Sequence, residues 1–183
     1  MPLDLPGITR GKPTEKIGQR TLNQGEIFFD NVEVPARFLI GEGPEIYPLV
    51  WEMTLKGANI AMGQQFVGVA RAAYELALDY AKQWVQGGGP IIRHQNVKNR
   101  LFSMFQKVET ARALARRVAI ADAAHPGGVP FQYAATSKVY VTQAAFEVGH
   151  DAIQTLGGNG LTHAYLAEKL FPDPRSSLIA DGE

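Results

Sequence analysis

Val97-Lys98-Asn99-Arg100-Leu101-Phe102-Ser103-Met104-Phe105-Gln106-Lys107-Val108 opens the stretch that decides the fold. Its apolar side chains return at Val97, Leu101, Met104/Phe105 and Val108, and the spacing continues through Ala111, Leu114/Ala115, Val118 and Ala121. Steps of three and four residues put all of these on one face of a helix. The spacing predicts a helix from about Ile92 to Ala124, ended by His125-Pro126-Gly127-Gly128.

The segments on either side repeat the pattern. Leu55, Ile60, Val67, Ala70, Tyr74, Leu78 and Ala81 predict a helix over about Tyr47 to Gln86, stopped by Gly87-Gly88-Gly89-Pro90. Ala134, Val139, Val141, Ala145, Val148 and Ile153 are assigned to the inside of a third helix, Phe131 to Leu156, which ends at Gly157-Gly158-Asn159-Gly160. A short fourth helix is expected at about Tyr165 to Phe171. Long apolar stripes joined by Gly/Pro turns bury each other as an antiparallel helical bundle. The fold class is therefore mainly α.

The chain changes character near Gly41. Pro2, Pro6, Gly7, Gly11, Pro13 and Gly18 leave no room for a helix before it. Glu26 to Pro35 reads as strand, turn and short strand, with Asp30-Asn31 at the turn and Phe28 facing opposite to Ile27 and Phe29. So short a β segment buries no core of its own. It should pair with a sheet that lies elsewhere or lie along the helices.

Composition narrows the function classes. The 183 residues are 45% hydrophobic and 20% charged, as in an ordinary soluble domain, and 18 basic side chains balance 18 acidic ones. That balance gives no electrostatic reason to expect nucleic acid or an anionic membrane. With no cysteine there is no disulfide, thiolate metal site or Cys nucleophile. Met1-Pro2-Leu3-Asp4-Leu5-Pro6 does not read as a signal peptide, and no apolar run is long enough to span a membrane. The expected setting is cytoplasmic.

Local chemistry is sparse. His94, His125, His150 and His163 show neither i,i+4 pairing nor an HExxH arrangement, so no metal site is expected. Ser103, Ser137, Ser176 and Ser177 occupy no nucleophile elbow. Arg112, Arg116 and Arg117, with Glu109 and Asp122 nearby, read as a solvated face paired at helical spacing. Glycines at 157, 158 and 160 suit a helix C-cap, yet they also let backbone approach a phosphate. The local pattern leaves both readings open. At Gly87-Gly88-Gly89 a cap is the simpler reading.

Gln154-Thr155-Leu156-Gly157-Gly158-Asn159-Gly160, then Glu168-Lys169-Leu170, Asp173 and Leu178-Ile179-Ala180-Asp181-Gly182, is similar to the signature of the acyl-CoA dehydrogenase family. In that family Gln-x-Phe/Leu-Gly-Gly-x-Gly is followed by Arg-Asp-Ala and Ile-x-Glu-Gly-Thr. Gly18-Gln19-Arg20, Phe28-Phe29-Asp30-Asn31-Val32, Val34-Pro35 and Leu39-Ile40-Gly41 resemble the end of its middle β-domain. Gly68-Val69-Ala70 through Tyr80-Ala81, then Pro90-Ile91 and Gln95, resemble its first two bundle helices. Together these blocks cover essentially the whole chain in order.

The resemblance implies residues 1–43 as a remnant of the middle β-domain and 44–183 as the C-terminal bundle domain, truncated before its last helix. It implies FAD-dependent α,β-dehydrogenation of an acyl-CoA thioester by a homo-oligomer or with a subunit that supplies the missing domains. Gln154, Gly157 and Gly158 would hold the pyrophosphate/ADP part of a neighbouring subunit's FAD, and Gln95 would lie near its adenine. The family's catalytic base falls on Asp181, one methylene shorter than the usual Glu, with Glu183 as second choice. Relatives that carry the base on the first bundle helix would place it at Ala58-Asn59, where there is no carboxylate. Other contact positions have also changed. A flavin-contacting Arg and Phe fall on Trp84 and Gly87, an Arg near the acyl-CoA on Asn59, and the Arg of Arg-Asp-Ala on Pro172. The alternative is a non-catalytic helical interaction or oligomerisation subunit derived from such an enzyme. In either case the chain alone is expected to be inactive.

Overall fold

The structure, a computed structural model, describes residues 1–182. Two short strands, β1 (Ile8–Arg10) and β2 (Ile27–Phe29), precede three long helices: α1 (Ile46–Gln83), α2 (Gln95–Ala124) and α3 (Phe131–Leu156). Two short helices, α4 (Ala167–Leu170) and α5 (Pro172–Ser177), close the order. The mainly helical bundle is therefore as expected. No helix of the described residues is long and apolar enough to cross a membrane.

With 38 residues, α1 is about 57 Å long. Pro48 lies in its first turn, where a backbone N–H would have no intrahelical partner, so the ring interrupts nothing. The helix buries Asn59, Gly63, Phe66, Ala70, Ala73, Ala77 and Ala81 along one stripe. α2 buries Val97, Leu101, Met104, Val108, Ala111, Ala115 and Val118, the stripe its sequence announces. Each large apolar side chain so buried contributes about 1.5–3 kcal/mol.

α1 and α3 run parallel with α2 antiparallel to both, and α1 against α3 is the most extensive contact. Small side chains let them approach closely: a Cβ on Gly63 would lie 2.7 Å from Ser137 Oγ. At one end Lys56 of α1 donates to Gly127 O at 2.7 Å, and Asp122 accepts from Val129 N at 2.9 Å, fixing the α2–α3 turn. Asp122 thus serves the turn, while Arg112 pairs with Glu109.

Four local expectations are corrected. α1 stops at Gln83 rather than Gln86, because Val85 and Pro90 bridge as a tiny hairpin around the turn. Gly87 (φ 66°) and Gly88 (φ 88°) supply the two left-handed residues that such a turn requires, so the triplet is not a helix cap. The short fourth helix is α4, within the expected range, and Pro172 then starts a further helix, α5, at its first position. Inside α3, Val139 is 45% exposed while Lys138 is buried.

The fourth correction concerns the strand over 26–35. Only Ile27–Phe29 is strand, and its partner lies before it: Ile8 pairs with Phe29, Thr9 with Phe28 and Arg10 with Ile27. The Asp30 N–H donates to Gly7 O, and Asn31 (φ 48°) then turns the chain away. Ile27, Phe28 and Phe29 are all exposed. The segment between the two strands does lie against the helices, at α5. Gln19 N donates to Asp173 Oδ1 at 2.6 Å and Gln19 Nε2 to Ser177 Oγ at 2.7 Å, while a Cβ on Gly18 would collide with Pro172 O.

Candidate active site

The up-down-up order brings the end of α1, the start of α2 and the end of α3 to one end of the bundle. Gln154 is exposed in the last turn of α3. Gly157 follows at φ 61°, ψ −136°, and its N–H donates to Ile153 O, so it caps the helix. A Cβ at Gly157 or Gly158 would meet nothing within 4 Å, whereas at Gly160 it would lie 2.7 Å from Ile153 O. The third glycine answers to packing. The first two leave an open, uncharged surface of backbone and amide, which fits the pyrophosphate of a dinucleotide.

Asn159 Nδ2 donates to the Tyr80 hydroxyl at 2.9 Å, tying this loop to α1. Trp84 stacks on Tyr80 with ring centroids 5.3 Å apart and 14° between planes, and Tyr165 meets Tyr80 edge-on at 5.9 Å. The indole at position 84 thus packs into an aromatic cluster beside the glycine loop. Gln95 is exposed as the first residue of α2, and its amide donates to Asn99 Oδ1 at 2.9 Å.

The candidate base is elsewhere. Asp181 is exposed at φ 55° on the lip of an open cleft of about 470 Å³, lined by Gln19, Met62, Phe66 and Lys169 among others. It is not enclosed by this chain. Glu183 lies outside the described residues. Asp173 keeps an ion pair despite Pro172, because Lys169 one turn earlier supplies the cation. Asn59 is 2% exposed and donates to Leu55 O, so it points inward.

The carboxyl-terminal turn is held near the start of α3: Lys138 Nζ donates to Leu178 O at 3.3 Å and to Gly182 O. Between Lys138 and Leu156 the helix rises about 27 Å. The glycine loop and Asp181 of one chain are therefore far apart. Sequence reasoning passed over Lys138 and gave Tyr80 no role beyond its helix; a lysine in phase with Ala134, Val141 and Ala145 was the available signal.

Bundle, glycine turn and returning carboxyl-terminal tail together define a helical domain of the acyl-CoA dehydrogenase type. Residues 50–183 match the family profile described as acyl-CoA dehydrogenase, C-terminal domain, and the chain belongs to the acyl-CoA dehydrogenase family. It is 35% identical to an acyl-CoA dehydrogenase of Bacillus subtilis over 98% of its own length and 46% of the relative's. The structure of butyryl-CoA dehydrogenase from Megasphaera elsdenii superposes with a TM-score of 0.90 at 32% identity, covering 98% of this chain and 46% of that one. The structure titled PigA with FAD and proline gives 0.88 at 26% identity, with 98% and 46% coverage. The chain spans about half the length of the relatives it matches.

Proposed function

We propose that this chain is the bundle part of an FAD-dependent acyl-CoA dehydrogenase, with residues 1–43 completing a β-domain and 44–183 forming the bundle domain. The observation that carries the proposal is the open glycine surface at Gly157-Gly158, set on this family's bundle beside exposed Gln154. Gln154, Gly157 and Gly158 would hold the pyrophosphate of FAD, with Gln95 toward the adenine. Bound there, FAD supplies the acceptor for the substrate's β-hydrogen as hydride.

Asp181 takes the α-proton, acidified by the thioester carbonyl, onto its carboxylate. A base works best where water is excluded and desolvation lifts its pKa toward that of the proton it removes. Asp181 is exposed in this chain, so the enclosing walls come from other domains or copies. Lys138, which meets the Asp181 turn, and Leu156, which precedes the glycine loop, are about 27 Å apart along α3, more than a ribityl chain spans. One chain's glycine loop therefore serves a neighbour's flavin, and a homo-oligomer follows. The lack of cysteine suits a reducing compartment such as the cytoplasm.

Asn59 supports the second reading, a non-catalytic interaction subunit, because its inward amide leaves no side chain for the thioester at that position. The flavin absorbance spectrum of the assembled protein decides between the two, followed by anaerobic addition of an acyl-CoA panel. Bound FAD that bleaches with one chain-length class supports the dehydrogenase, and Asp181→Asn should then abolish bleaching. A colourless protein that still assembles overturns it.

A further inference from the structure

Lys138 is the largest fully buried side chain in the bundle, at 1% exposure. An ammonium is costly to take out of water unless its donors find acceptors. Here two of the acceptors are the carbonyl oxygens of Leu178 and Gly182. They lie on either side of Asp181 in sequence. Asp181 (φ 55°) and Gly182 (φ 94°) are consecutive left-handed residues, and the reversal they make turns both carbonyls toward one cation. Asp and Gly both tolerate this conformation, so the residues permit the turn and the two bonds from Lys138 fix where it stands.

We propose that Lys138 is a positioning residue for Asp181, a buried clamp on the turn that sets where the carboxylate stands above the cleft. The consequence for turnover rests on the proposed role of Asp181; the clamp itself does not. Among neutral side chains only Asn and Gln carry an NH2 with two donors, and both are shorter than lysine; Met, close to it in length, donates nothing. Removing the ammonium leaves those carbonyls without their buried donor and frees the segment from α3.

The test compares Lys138→Met with Lys138→Cys aminoethylated by 2-bromoethylamine. The alkylation is done unfolded and followed by refolding, and it restores an ammonium at nearly the same length. The chain contains no other thiol to react. The amides of Leu178, Ile179 and Ala180, bonded within the turn, report the hold by hydrogen exchange. In Lys138→Met they should exchange about tenfold faster, with α1 and α2 amides unchanged, and the aminoethylated protein should recover the parent rate. Unchanged exchange in Lys138→Met overturns the clamp. So does a uniform loss of protection across the bundle, which would make Lys138 only a packing residue.

In the flavin-loaded assembly, Lys138→Met should lower kcat at least about tenfold with KM within about twofold, and the aminoethyl group should restore it. Faster exchange with undiminished kcat refutes the positioning role. If Asp181→Asn is harmless while the exchange effect stands, the clamp survives and the base assignment fails.

Discussion

Asn159 gives its amide hydrogen to the hydroxyl of Tyr80 across 2.9 Å, so the glycine turn after α3 is fastened to the far end of α1. Tyr80 also stacks on Trp84, which makes it the link between the loop and the aromatic cluster. Tyr80→Phe keeps the stack and deletes only the acceptor. Its expected cost is about 1 kcal/mol in urea denaturation, with faster amide exchange confined to residues 157–161. Loosening of the whole bundle instead would show that the bond does not act locally.

Gly157 and Gly158 separate capping from ligand binding. Gly157→Ala forces a Cβ onto φ 61°, ψ −136° and should destabilise by about 1–3 kcal/mol. Gly158→Ala meets neither a positive φ nor a neighbour and should change stability by less than about 0.5 kcal/mol. If the loop cradles a pyrophosphate, Gly158→Ala still weakens ADP binding in calorimetry. Parent-like ADP binding by that variant would remove the cradle.

Asp173 pins the β segment to the bundle through the Gln19 N–H. Asp173→Ala should release residues 1–43, seen as several-fold faster tryptic cleavage at Lys16 and Arg20. The helical melting transition should stay close to the parent's, because the core stripes are untouched. A large fall in that transition would mean the segment supports the bundle.

Lys107 joins α2 to α3, 2.8 Å from Glu147 and 3.7 Å from Asp151. Hydrogen bonds from Gln143 and then Lys107 hold the Glu147 carboxyl below its ordinary 4.5. A depressed folded pKa stabilises above the ordinary glutamate range, and that gain is lost as pH falls through the folded value. Lys107→Met should therefore lose less than about 1 kcal/mol at neutral pH, both side chains being partly exposed. The deficit should shrink as Glu147 protonates, which urea titrations across the acid range will measure. A deficit that persists at the acid end points to packing of the Lys107 stem instead.

The ends of α3 were legible because local chemistry sets them: Pro130 precedes the first turn, and Gly157 accepts the left-handed conformation beyond the last. α2 was legible from periodicity, though its start was read three residues early, because Ile91–Arg93 forms a separate 3-10 turn before Gln95. α1 was read three residues too long, since Gly87 and Gly88 act on a hairpin whose pairing of Val85 with Pro90 is not a helical signal. The partner of β2 lies 17 residues before it, beyond the reach of a local turn rule. Lys138 escaped notice for a different reason. Its acceptors lie 40 and 44 residues downstream, and a search for apolar stripes counts lysine as surface. The same distance hid the shape of the Asp181 turn.

Between α1 and α3 much of the core is alanine: Ala70, Ala73, Ala77 and Ala81 on one helix, Ala144, Ala145 and Ala152 on the other. Alanine has no rotamers to lose, so burying it sacrifices no side-chain entropy. Each methyl also withdraws little area from water, so none of them anchors the pair by itself. The grip between the two helices is then a property of overlap length. Shortening that overlap by a turn should weaken it in even steps, wherever along the helices the turn is removed.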